Sequence, residues 1–198
     1  MRKIDAVNIV LTSNGLGETT SVDTSGPSDA ALASRLVDEE DLRIQMRGWH
    51  YNTRKDVELS PDNSGFIYLP TGTIRIDSCC ADAWRNITQV GERLYDLDNN
   101  TFVFGSSVRV SYVLRFDIEC IPEPVAQWIA ARAAMSFFRR RGFRVNRELV
   151  NMIADTERQA MVAAYQFDAD TSNLNLNDTK HMREVLGYRR ADSRVFGA

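Results

Sequence analysis

Four neighbouring carboxylates, Asp38-Glu39-Glu40-Asp41, are the densest group of acid–base side chains in the chain. Hydrolysis of a glycosidic bond would need two of them flanking one bond, one as proton donor and one as nucleophile or base. Consecutive residues of a helix point in different directions, so the run predicts a solvated helix face instead. A second group, Asp96 and Asp98 with Asn99 and Asn100, lacks the Asp-x-Asp-x-Asp-Gly series and distal glutamate of a calcium loop. A hairpin turn accounts for those residues. A polysaccharide hydrolase, the alternative activity, would have to work with Asp96, Asp98 or Glu119.

Nucleophilic catalysis needs a Ser or Cys beside a His base. His50 lies between Trp49 and Tyr51, His181 lies in a polar segment, and no Gly-x-Ser-x-Gly elbow exists. Cys79, Cys80 and Cys120 are odd in number, two of them adjacent, and form no Cys-x-x-Cys. That pattern suits neither a disulfide framework nor a tetrahedral metal site, and predicts small packed side chains. There is no phosphate-binding loop and no dinucleotide fingerprint. The expectation is a protein with no catalytic, cofactor or metal site.

The one concentrated basic patch is Arg139-Arg140-Arg141 with Arg144, followed by Arg147. Arginines at a helix C-terminus answer the macrodipole. Three in a row exceed what capping requires, and guanidinium groups also bind phosphates or an acidic partner. Over 198 residues the charge balance is 24 basic against 27 acidic, a net −3, so any contact with DNA must be local. The start, Met1-Arg-Lys-Ile-Asp, has no apolar signal region, and the apolar runs are too short for a membrane span. These features predict a chain made and kept in a cytoplasm.

The elements that must position these residues fall into three blocks. Residues 1–54 are helical: Ile4 to Leu16 closes at a glycine turn, and a second helix starts near Gly26-Pro-Ser-Asp29 and stops at Gly48. From Lys55 to Phe116 the period drops to about two. Strands are predicted at Val57/Leu59, Phe66–Leu69, Ile74/Ile76, Leu94/Leu97, Phe102/Phe104 and Val108 to Leu114. The turns between them are too short for crossovers, so the pairing is antiparallel, a meander of hairpins. After Ile121-Pro-Glu-Pro124 a helix carries Val125, Trp128, Ile129, Ala133 and Phe137 on one face. Phe137 and Phe138 cannot both face one core from that helix, which makes one of them a candidate for a subunit interface. A last helix from Asn146 carries Leu149, Ile153, Ala160, Ala164 and Phe167 and should pack antiparallel to it. The fold class is therefore α+β: a helical bundle (1–54 and 121–168) with an inserted β-hairpin meander (55–120) and an extended C-terminal tail (169–198).

Several segments carry a family resemblance through their order and spacing. Ala6-Val-Asn-Ile-Val-Leu-Thr-Ser-Asn-Gly15 and Gln45-Met-Arg-Gly-Trp-His-Tyr-Asn52 resemble the first helix and the Gln-x-Arg-Gly-Trp-x-Phe-Asn signature of the tail tubular protein A family of short-tailed phages. Leu59-Ser-Pro-Asp62, Gly65-Phe-Ile-Tyr-Leu-Pro70, Arg93-Leu-Tyr-Asp96, Asn99-Asn-Thr-Phe-Val-Phe104, Ile121-Pro-Glu-Pro124 and Trp128-Ile-Ala-Ala-Arg-Ala133 are similar to the same family in the same order. Tyr51 departs from its Phe, and Ser13-Asn-Gly-Leu-Gly-Glu18 from its Ser-Ile-Gly-Glu turn. The resemblance implies a non-enzymatic head-to-tail adaptor of the virion. Its subunits would form a dodecameric ring between the portal and the tubular nozzle, tail tubular protein B, with double-stranded DNA passing through. The absence of such motifs and spans in the sequence adds the expectation of no cofactor and no membrane contact. Under this assignment the polar tail would order on the portal, with Tyr188, Arg189, Arg190 and Phe196 as anchors.

Overall fold

The computed structural model describes residues 1–22, 28–79, 82–142 and 147–172. Two helices, α1 (Lys3–Ser13) and α2 (Asp29–Gln45), precede five strands: β1 (Thr53–Leu59), β2 (Thr73–Ser78), β3 (Ile87–Val90), β4 (Arg93–Asp96) and β5 (Val108–Leu114). Two longer helices, α3 (Glu123–Arg141) and α4 (Arg147–Thr171), follow. The fold class is α+β with antiparallel sheets, as the periodicity predicted.

Local chemistry sets most helix ends. Asn14 closes α1 by donating its side-chain amide to the Val10 carbonyl at 2.8 Å. Ser28 Oγ accepts the Ala31 N–H at 3.0 Å, the expected cap of α2. Pro122 and Pro124 sit at the entry of α3, and Gly142 ends it in the left-handed region at φ 62°. Helix α2 stops at Gln45, three residues before the predicted Gly48.

Helix α3 is the centre of the bundle, packed by α1, α2 and α4. It is antiparallel to α4, since Trp128 stacks near Tyr165 while Arg132 pairs with Glu157. This central position corrects one expectation. Phe137 and Phe138 are both buried in the same core, because a helix covered on three sides has no outward apolar position to spare.

The sheets depart from a simple meander. Among the described residues only β3 and β4 form a hairpin between sequence neighbours; the larger sheet runs β1-β5-β2, with the last strand in the middle. Strand β5 turns Val108 and Val110 into one core and Val113 to the opposite face, beside Gly48, and is flanked by a strand on both sides. The segments at 66–69 and 102–104 were expected as strands; they contribute only the isolated bridges Phe66↔Val103 and Tyr68↔Arg93. The sheets enclose a second core of Ile67, Leu69, Leu94, Phe104, Val108 and Val110, distinct from the helical one.

Candidate interaction site

The acidic run does not lie wholly in solvent. Glu40 is 1% exposed and Asp41 is buried, a correction to the solvated face expected from sequence. The two carboxylates point apart, as helix geometry requires, and each meets its own arginine. Glu40 accepts from Arg43 at 2.8 Å, from Arg132 Nε at 3.2 Å and from Ser136 Oγ at 2.7 Å. Arg132 also reaches Glu157 at 2.6 Å, so one buried acid ties α2, α3 and α4 together. Asp41 accepts from Arg115 at 2.9 Å and from Gln45 Nε2 at 2.7 Å. Burial raises the Asp41 carboxyl above the usual range, against the pull of Gln45 and Arg115.

Gln45 begins the octet Gln45 to Asn52, and that octet is a joint between the two cores. Its amide exchanges two hydrogen bonds with the backbone of Phe116, donating at 2.7 Å and accepting at 2.9 Å. Asn52 accepts from Trp49 N at 2.8 Å and donates to the carbonyls of Gln45 at 3.1 Å and Leu114 at 3.0 Å. Gly48 turns at φ 81°, and a Cβ there would lie 3.2 Å from Arg75 and from Thr53 Oγ1. Arg75 donates from β2 to the carbonyls of Met46 and Arg47, capping the end of α2 from the sheet. Arg47 lies over Trp128 at 4.8 Å and donates to the hydroxyl of Tyr165. The His50 backbone N–H donates to Asp168 at 2.8 Å, which fastens α4 to the same corner.

The other candidates offer little chemistry. Asp96 accepts from the backbones of Asp98 and Asn99 and from the Asn99 side chain, the turn expected from sequence. Hydrogen bonds from the Asn99 side chain and then its backbone hold the Asp96 carboxyl below the usual range, opposite to what a proton donor needs. Glu119 borders a different cleft, beside Lys3 and Arg115. Cys79 and Cys120 are free thiols, and no group of metal-ligating side chains converges among the described residues. No helix among them is long and apolar enough to cross a membrane.

The basic cluster is partly used within the chain. Arg140 grips Glu39 through two bonds, and Arg141 pairs with Asp29 at 2.7 Å, so both bind α3 to α2. Arg139 is exposed without an ion pair among the described residues. Arg144, His181, Tyr188, Arg189, Arg190, Phe196 and Cys80 lie outside the described residues.

Surface that sequence reasoning missed lies on the β-rich part. Tyr68 is 49% exposed, Val103 53% and Trp84 74%. Arg93 lies over the rings of Phe66 at 4.5 Å and Tyr68 at 5.0 Å. The available signal was the run Phe66-Ile-Tyr-Leu69, apolar on both parities although only one parity can face a core.

Residues 4–174 match the tail tubular protein family, a span that includes both cores and the joint. The chain is also 30% identical over 130 residues to tail tubular protein A of Klebsiella phage KP34, covering 66% of this chain and 68% of that protein. With the family's motifs now placed at the joint and in both cores, the chain belongs to the tail tubular proteins and is a structural protein of a phage tail.

Proposed function

We propose that twelve copies of the chain form a ring between the capsid portal and the tail nozzle, with double-stranded DNA passing through its lumen. Membership in a tail protein family entails assembly with other virion proteins. The single observation supporting the finer role is that the match runs unbroken through both cores and the joint, residues 4–174. A cyclic ring needs two different complementary patches on each subunit. A chain with two cores fastened by buried hydrogen bonds can hold such patches at a set angle.

In this proposal the helical part, 1–54 and 121–168, packs side by side in the ring and meets the portal. The β-rich part, 55–120, meets the nozzle. The segment 169–198 engages the portal through Tyr188, Arg189, Arg190 and Phe196, and Arg139, Arg140, Arg141 and Arg144 serve a partner or the passing DNA. The chain works without catalysis, is assembled in the host cytoplasm and resides in the tail. The turn geometry and lowered pKa of Asp96 give a hydrolase no support.

Mass measurement of the purified chain, alone and with portal, tests the ring. A twelve-copy complex on the portal is expected, and absence of any portal complex overturns the proposal. Deleting residues 169–198 is expected to weaken attachment to DNA-filled capsids; unchanged attachment removes the tail from the portal contact.

A further inference from the structure

We propose that Arg93, held against Phe66 and Tyr68, anchors a protein-docking patch that receives a carboxylate from the next tail protein. This rests on the nozzle contact proposed above and names its chemistry. Ile67 and Leu69 are buried in the second core, so alternation turns Phe66 and Tyr68 outward. The bridge Tyr68↔Arg93 places the arginine beside them, and both rings lie against its guanidinium. Rings on the faces of a guanidinium leave its in-plane N–H donors for an acceptor. Other arginines of the β-rich part have one: Arg75, Arg85 and Arg109 each reach a carboxylate within 3.1 Å. Arg93 has no hydrogen bond or ion pair from its side chain among the described residues. A cation already stacked in place loses little conformational entropy when it meets a partner.

The rim of the patch is apolar and built close. Val103 bridges Phe66, and a Cβ on Gly65 would lie 2.7 Å from the Val103 side chain, so only glycine permits this approach. Val103 continues into a cleft bordered by the exposed Trp84. An arginine ringed by aromatic and aliphatic surface is the composition of an interface hot spot, where the rim excludes water from the central ion pair. A nucleic acid fits poorly. Phosphate binding draws on several cations in a row, whereas Arg93 stands beside exposed Glu92, and the neighbouring cleft sets Asp96 and Asp98 against Arg85, itself paired with Asp82. The charge of the patch therefore complements a single acidic side chain on an apolar protein surface.

The test uses full-length chain on capsids and measures binding of the purified nozzle protein of the same virion. Arg93→Met should weaken binding at least about tenfold, the scale of a hot-spot residue. Arg93→Lys should fail to restore it, since an ammonium lacks the planar fork. Tyr68→Ser should weaken it several-fold. Equal binding by wild type and Arg93→Met overturns the inference while the nozzle contact stands. If wild type itself does not bind the nozzle protein, the contact fails and the patch's assignment with it. If Arg93→Met lowers affinity for double-stranded DNA but not for nozzle, the carboxylate assignment is wrong. Should the melting curve of Arg93→Met show it unfolded, Tyr68→Ser decides, and unchanged binding by that variant overturns the inference.

Discussion

The joint and the outer face of the β-rich part break the usual placement of residues in opposite senses. At the joint and in the last turns of α2 that lead into it, Glu40, Asp41, Gln45 and Asn52 are polar and buried. On the outer face, Tyr68, Trp84 and Val103 are apolar or aromatic and exposed. The joint answers its own anomaly, since its buried acids and amides find donors and acceptors in the same chain. The outer face does not, because apolar area leaves water only when something covers it. A polar group out of place is thus a statement about folding, and an apolar patch out of place is a statement about assembly.

The largest loss of stability is expected where the buried acid loses one of its cations. Arg132→Met removes the cation at Glu40 Oε2 and leaves a carboxylate that is 1% exposed with a reduced set of partners. Arg43 and Ser136 still meet the carboxylate, so the expected loss of stability is about 2–3 kcal/mol. The double variant Arg132→Met with Glu40→Leu should recover part of that loss, because the under-compensated buried charge is gone. Denaturant midpoints of the two variants decide it; a double variant less stable than the single would show that packing, not charge, governs the site.

Next in size is Gln45→Ala, which leaves the N–H and carbonyl of Phe116 without their side-chain partner. A loss of about 2 kcal/mol is expected, the cost of buried groups left unmade. Amide exchange at Phe116 should rise with it. Full protection of that amide in the variant would mean that the joint does not depend on this residue.

This contrast also separates what was legible in the sequence from what was not. Ser28 and the prolines of Ile121-Pro-Glu-Pro124 act on residues within four positions, so they marked helix ends directly. The stripe Val125, Trp128, Ile129, Ala133 and Phe137 predicted a buried face by its period alone. Glu40 carried no such local sign. Its burial depends on Arg132, 92 residues away, and that of Gln45 on Phe116, 71 residues away. The position of β5 between β1 and β2 is likewise a long-range choice, since alternation states which face is apolar but not which strands are neighbours. The outer patch escaped because an apolar residue counted toward a core says nothing about which side of the strand that core occupies.

Two carboxyl groups give stability a smaller dependence on pH. Burial raises the Asp41 carboxyl, so the folded chain holds that proton where the unfolded chain releases it. Stability from this group is present at low pH and falls as pH rises from about 4, the ordinary Asp value, to the raised one. Asp96 has the opposite sign: Asn99 lowers its pKa, so its contribution is present above about pH 4 and is lost as pH falls through the folded value. In melting curves against pH, Asp41→Asn should flatten the limb above the ordinary carboxylate range and Asp96→Asn the limb below it. The same limb flattened by both variants would contradict the two environments.

The smallest expected change in stability belongs to the outer face. Tyr68→Ser and Val103→Thr should each shift the melting free energy by no more than about 0.5 kcal/mol, because both side chains are about half exposed and serve neither core. Arg93 would lose one of its two rings in the first variant and keep the other. If either substitution instead destabilised the chain as much as Gln45→Ala, the exposed aromatics would be part of the fold, and the division between a joint that serves folding and a face that serves assembly would collapse. Near-neutral melting together with weakened attachment of the next tail protein is the one pair of results that keeps the two regions distinct, since no residue supporting only the fold can produce it.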